Sequence, residues 1–161
     1  MHFSDVAFYQ TPPDQSQTLT NARTLTFTGT YDFIDANQNG ISDAWEKYYF
    51  GSVTTNRTQF TDSDGDGMSD YAEFIAGTDP TNAASKLVFL ATTLLTNKLV
   101  QFEWAAIPGR LYQVQTCGLA LTNQQSWTPV SDWLHASGSP MYFSATNADK
   151  GVHAFRVQVR P

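Results

Sequence analysis

The rhythm of apolar and polar positions changes twice along this chain. From Thr24 to Tyr31 threonine alternates with larger or apolar groups, Thr24-Leu25-Thr26-Phe27-Thr28-Gly29-Thr30-Tyr31. This is the period of a strand with one buried face. The preceding Thr11-Pro12-Pro13-Asp14 reads as a turn or extended linker. A piece of about 30 residues does not bury a core of its own, so residues 1–31 either pack on a neighbour or, the favoured expectation, are the β-strand tail of a preceding domain. From 32 to 85 the pattern becomes two copies of one unit, an acidic glycine-containing loop followed by a short helix. Asp43–Phe50 and Asp70–Ala76 place aromatic or apolar groups at i, i+3 and i+4, giving each helix one apolar stripe. Gly51 and Gly77 follow as left-handed stops, and Pro80 prevents the second helix from resuming. The stripes are expected to bury each other, Trp45, Tyr48 and Tyr49 against Tyr71, Phe74 and Ile75.

From Lys86 onward the chain reads as β. Apolar runs at 87–90, 99–104, 111–115, 141–143 and 152–159 are separated by turn residues such as Pro108-Gly109 and Asn147-Ala148-Asp149. Short strands spaced by turns predict an antiparallel β-sandwich over 86–161. The expected fold class is therefore mainly β with a small α segment: a paired loop-helix module at 32–85 joined to a sandwich.

Composition narrows the function. The chain of 161 residues is 41% hydrophobic and 14% aromatic, enough to build a core. No run approaches the roughly 20 apolar residues of a membrane helix. Met1-His2-Phe3-Ser4-Asp5 carries neither the basic flank nor the apolar stretch of a signal peptide. A mature or excised fragment would lack these too, so localisation rests on other features. Cys117 is the single cysteine, which excludes an internal disulfide and a thiolate metal cluster. The formal charge is −6, and eight of the 15 acidic residues lie within 35–46 and 62–73, windows without Lys or Arg. Such concentration points to local cation sites rather than to a general acidic surface.

Each window spells a twelve-position oxygen-donor loop. In the first, positions 1, 3, 5, 9 and 12 are Asp35, Asn37, Asn39, Asp43 and Glu46, with Gly40 at 6 and the Ile41 carbonyl at 7. In the second they are Asp62, Asp64, Asp66, Asp70 and Glu73, with Gly67 at 6 and the Met68 carbonyl at 7. Alternate residues of a tightly curved loop point inward, glycine permits the turn, and a helix starting near position 9 returns the final Glu to the ion. Six or seven converging oxygens suit Ca2+ better than Mg2+, and soft metals find neither thiolate nor imidazole here. Helix capping by Asp43 and Glu46, or by Asp70 and Glu73, accounts for some of these residues. It does not account for five carboxylates in one loop, where neighbours about 5 Å apart repel by roughly 3 kcal/mol per pair at an effective dielectric near 20. Two Ca2+ ions are expected, and the second loop is expected to bind more tightly. Asp79, before Pro80, is a turn residue or an additional ligand.

In both loops position eight is Ser42 or Ser69, where helix-loop-helix EF-hands carry an apolar residue. Asp62-Ser63-Asp64-Gly65-Asp66-Gly67-Met68-Ser69-Asp70 instead resembles a thrombospondin type 3 repeat, and Asp35–Asp43 is a softer version. The cysteines and twelfth-position Asp frequent in that family are absent, so its disulfide-linked wrapping is not carried over. Gly77-Thr78-Asp79-Pro80-Thr81-Asn82 is similar to endings in secreted bacterial proteins and implies an extracellular or cell-surface setting. Phe3–Val6, Tyr9–Pro12 and Phe27–Tyr31 resemble closing strands of small Ig-like repeat domains in bacterial surface proteins, and 102–114 resembles the middle strands of fibronectin type III-like domains. These resemblances imply a calcium-stapled structural or adhesion module between β domains of a larger protein.

An alternative is a carbohydrate-binding accessory module using Trp104, Trp127 and Trp133, side chains that serve equally as core packing. An enzyme is not expected: His2, His135 and His153 are scattered, and neither they, Asp132 nor Cys117 belongs to a nucleophile motif. Nucleic acid is disfavoured by the acidic balance. The Asn56-Arg57-Thr58 sequon is incidental in a bacterial setting.

Overall fold

The computed structural model describes residues 1–19, 24–95, 98–118, 126–146 and 153–161. The expected turn at 147–149 and the start of the last apolar run at Val152 lie outside the described residues. Helices α1 (Asp43–Phe50) and α2 (Asp70–Ala76) form where the apolar stripes predict them. Both end on a glycine in the left-handed conformation, Gly51 at φ 77° and Gly77 at φ 79°, whose N–H groups donate to the carbonyls of Lys47 and Glu73. The N-caps are the position-eight serines rather than the aspartates. Ser69 Oγ accepts from Ala72 N–H, whereas Ser42 makes no side-chain cap bond. Asp43 and Asp70 thus become the first helical residues, where the helix dipole favours an anion.

Ile41, Trp45 and Phe74 make the buried centre of this region, with Phe8, Tyr9, Phe33, Tyr49, Phe50, Tyr71 and Ile75 packed around it. Trp45 meets Phe74 edge-on at 5.9 Å, and Tyr9 stacks on Phe74 at 5.0 Å. The expected packing of one stripe on the other holds for these residues but not for Tyr48. Tyr48 is 72% exposed and leans on Phe8 instead. The inner place is filled from the N-terminal segment, which supplies Phe8 and Tyr9.

No strand forms among the described residues before Asp32, apart from a single bridge between Gln10 and Asp32. The stretch near Gly29 faces Phe3 and Pro12 so closely that an added Cβ would fall 2.7–2.8 Å from them. Pro12 and Pro13 lack the N–H groups a ladder requires. The alternating pattern of 24–31 meets no strand partner among the described residues.

Seven strands follow: β1 (Phe89–Leu94), β2 (Leu99–Trp104), β3 (Leu111–Gly118), β4 (Thr128–Pro129), β5 (Leu134–His135), β6 (Met141–Thr146) and β7 (His153–Arg160). One antiparallel sheet is ordered β1-β2-β6. In the other, β3 pairs along its full length with β7 and along its opposite edge with β4 and β5. The turn at Pro108-Gly109 is present, with Gly109 at φ 87° and Arg110 N–H donating to Ile107 O at 3.2 Å. Phe102, Trp104 and Ala145 from one sheet and Tyr112 and Val114 from the other fill the core. Across it Phe102 lies 4.7 Å from Phe155, and Trp104 lies 5.9 Å from Tyr112. The chain is mainly β with two short helices, its two antiparallel sheets arranged as a sandwich. No helix among the described residues is long and apolar enough to cross a membrane.

Candidate metal centre

Both loops are built on one hydrogen-bonding plan, offset by 27 residues. The position-one carboxylate accepts from the glycine N–H at position six, Gly40 to Asp35 Oδ2 at 2.8 Å and Gly67 to Asp62 Oδ2 at 3.0 Å. The position-five oxygen accepts from the N–H at seven, Ile41 to Asn39 Oδ1 and Met68 to Asp66 Oδ1. Position nine closes the loop, Asp43 Oδ1 accepting from Ala36 N–H and Asp70 Oδ1 from Ser63 N–H. Side chains at alternate positions therefore point inward because backbone N–H groups hold them there. Glycine is required at six, where φ is 84° at Gly40 and 94° at Gly67.

The second loop gathers anions. One carboxylate oxygen from each of Asp62, Asp64 and Asp66 lies within 4.8 Å of the others. Asp64 Oδ2, Asp66 Oδ2 and Glu73 Oε2 are buried and accept no hydrogen bond among the described residues. Glu73 is fully buried, and among the described residues its other oxygen accepts only from Thr78 Oγ1 at 3.1 Å. Burial pushes the Glu73 carboxyl up from 4.5 to about 7; the Thr78 hydroxyl opposes the shift, and Asp64, Asp66 and Asp70 reinforce it. Lys86 Nζ stands 4.0 Å from Asp66 Oδ2 and donates to Asp66 O at 3.3 Å. Orphaned acceptors on two members of this carboxylate trio and on Glu73 fit the hard-oxygen donor set of Ca2+. Asp62, Asp64, Asp66 and Glu73 would hold the ion by side chains, and Met68 carries the carbonyl position.

Asp70 is occupied otherwise. Its Oδ2 accepts from Ser63 Oγ and from Arg57 Nε, both at 2.8 Å.

The first loop differs most at position twelve. Glu46 is fully buried, and both its oxygens are engaged: Arg57 Nη1 donates to Oε1 and Asn37 Nδ2 donates to Oε2, each at 3.0 Å. The Asn37 amide also donates to Thr54 O at 2.8 Å, and Asn39 Nδ2 donates to Arg57 O at 3.3 Å. Asparagine at positions three and five thus binds the connector between the helices, which aspartate, lacking a donor, cannot do. Asp79 has the turn role: its Oδ1 accepts from the N–H and hydroxyl of Thr81.

Two arginines were not singled out as functional by the sequence reading. Arg57 is the one base between Lys47 and Lys86, a signal that a base between two acidic loops could have given. Arg110 is 3% exposed and donates from Nη2 to Phe74 O near the end of α2 at 3.1 Å. Of the tryptophans considered for carbohydrate, Trp104 is fully buried and is a core residue rather than a platform. Trp127 and Trp133 are half-buried, with Arg156 at 4.5 Å and Arg160 at 4.1 Å over their rings.

Compared with known families, residues 62–83 match the Bacterial TSP3 repeat. Neither a curated protein nor a solved structure matches the chain significantly. The matched segment contains the whole second loop, α2 and the turn after it. TSP3 repeats are calcium-binding structural repeats rather than an enzyme family. The similarity to a TSP3 repeat thus covers residues 62–83, which carry the carboxylate cluster and precede the two antiparallel sheets.

Proposed function

We propose that this chain is a non-catalytic structural module in which Ca2+, bound by Asp62, Asp64, Asp66, Met68 O and Glu73, fixes the junction between the helical region and the β-sandwich. The observation that carries the reading is the set of buried oxygens on Asp64, Asp66 and Glu73 that accept no hydrogen bond among the described residues. Left ionised without a cation, such a cluster destabilises the fold that creates it. The loop also touches the sandwich, since Lys86 reaches Asp66 and Leu87 N–H donates to Met68 Sδ at 3.3 Å. An ion there orders the entry to β1.

The TSP3 match and the Gly77–Asn82 ending support an extracellular or cell-surface setting, where calcium is plentiful, and a place among neighbouring β domains of a larger surface or adhesion protein. A carbohydrate role has less support, because Trp104 lies in the core and arginines lie over the rings of Trp127 and Trp133. Of the two ions expected from the sequence, this reading assigns one, at the second loop.

The test is thermal melting in excess EDTA and in millimolar Ca2+. At a hundredfold excess over Kd one ion stabilises by about 2.7 kcal/mol, or roughly 5–11 °C for a chain of this size. D64N/D66N should abolish the shift. Identical melting with and without Ca2+ would refute the proposal.

A further inference from the structure

We propose that Arg57 is the resident cation of the first loop, holding Glu46 as calcium is expected to hold Glu73, so that the pair of loops takes up one ion rather than two. This inference rests on the calcium reading of the second loop.

Calcium requires six to eight oxygens and takes both oxygens of the twelfth-position Glu. In the first loop neither is available: Glu46 Oε1 receives Arg57 Nη1, and Oε2 receives the Asn37 amide. The backbone N–H groups on Asp35 and Asn39 have counterparts on Asp62 and Asp66, so the loops differ at Glu46 and at Asn37. Among the described residues the one buried side-chain oxygen of the first loop without a hydrogen-bond partner is the neutral amide Oδ1 of Asn37, against three carboxylate oxygens in the second loop. A single neutral donor does not make a divalent-cation site.

Arg57 meets the same electrostatic need. Its side chain is 10% exposed, and the two carboxylates it bridges, Glu46 and Asp70, are fully enclosed. The guanidinium carbon lies 3.5 Å from the centre of the Phe50 ring, which holds the plane from one side. A guanidinium keeps its charge when enclosed and presents several N–H groups in one plane, so it can serve two carboxylates at once. Glu46 lies in the first turn of α1 and Asp70 begins α2. One cation thus ties the starts of both helices, and the connector reinforces it through Thr54 O and Arg57 O. The substitution of Asn37 and Asn39 for the aspartates of the second loop follows directly: the amides donate to this connector and to Glu46.

Ion stoichiometry by titration calorimetry and native mass spectrometry, with melting in EDTA, tests the inference on wild type, D64N/D66N, R57Q and D35N/E46Q. The expected result is one ion on wild type, none on D64N/D66N, and a Tm loss of roughly 6–12 °C for R57Q that persists in EDTA. Two ions on wild type, one lost in D64N/D66N and the other in D35N/E46Q, would overturn the inference and leave the calcium reading standing. No ion on wild type would overturn the calcium reading, and the Arg57 assignment would then be decided by R57Q in EDTA, an unchanged Tm overturning it. If R57Q does not fold, R57K replaces it: a smaller Tm loss in EDTA is expected from a cation without the planar fork, and wild-type Tm would overturn the assignment.

Discussion

An enclosed carboxyl group surrounded by Asp64, Asp66 and Asp70 resists ionisation, and Glu73 is held at about 7 for this reason, burial being the main cause. The sign of the resulting pH dependence follows from linkage. With its folded pKa raised above the ordinary 4.5, Glu73 contributes stability to the ion-free fold that is fully present below about 4.5 and is lost as pH rises through about 7. Calcium needs the ionised form, so binding releases a proton at lower pH, and affinity should climb until about pH 7 and then level off. Calorimetric titrations in buffers of different ionisation enthalpy at pH 6 and 8 check this; equal proton release at both would count against it. Glu73→Gln should raise Tm in EDTA at pH 8 and remove the calcium-induced shift, as measured by scanning calorimetry in EDTA and in Ca2+. At this scale the spacing of side chains within each loop was legible, because period and turn glycines act locally. The partner of Glu46 was not: Arg57 reaches it only after the connector has folded back across the loop.

The two loop-helix units share their backbone plan but not their surroundings, and glycine reads the difference. Gly40 and Gly67 both have positive φ, where any side chain costs on the order of 1 kcal/mol. A Cβ at Gly67 meets nothing within 4 Å, whereas at Gly40 it comes within 3.0 Å of Gln59 and of the Tyr71 ring. Gly40→Ala should therefore lose about 1–3 kcal/mol more than Gly67→Ala. Chemical denaturation of both variants in EDTA reads the contrast free of ion binding, and equal losses would mean that Tyr71 yields freely. The helices themselves were readable because stripe, loop and terminal glycine agree over the same few residues. The inward place expected for Tyr48 and the strand expected over 24–31 failed for one reason. Each depended on which distant segment arrives as partner, and here Phe8 and Tyr9 pack on the helical core while 24–31 forms no strand among the described residues, with Pro12, which has no N–H, lying against Gly29.

Calcium can fix a junction only if the helical region and the sandwich are mechanically joined, and Arg110 joins them. It sits at the turn into β3, buried, with Nη2 on the Phe74 carbonyl and its guanidinium 5.3 Å from the Tyr9 ring centre. A cation at the end of α2 also meets the negative pole of the helix dipole. Burial lowers its pKa while Tyr9 and Tyr112 oppose the change, an arrangement that tolerates the charge only while its partners stay in place. Arg110→Met keeps most of the volume and removes the bond, leaving a buried carbonyl unpaired at a cost of about 1–3 kcal/mol. Stability is then lost at the contact rather than within either part, so ion binding should cease to protect the sandwich. Trp45 is the one tryptophan of the helical region, and Trp104 reports the sandwich core. In a Trp45→Phe background the remaining indoles follow the sandwich alone. There calcium should raise the melting temperature of the sandwich fluorescence, and adding Arg110→Met should reduce that rise by more than half while α2 still gains helical ellipticity protection from the ion. An undiminished rise would place the coupling elsewhere, at Lys86 and Leu87, where the second loop meets the entry to β1.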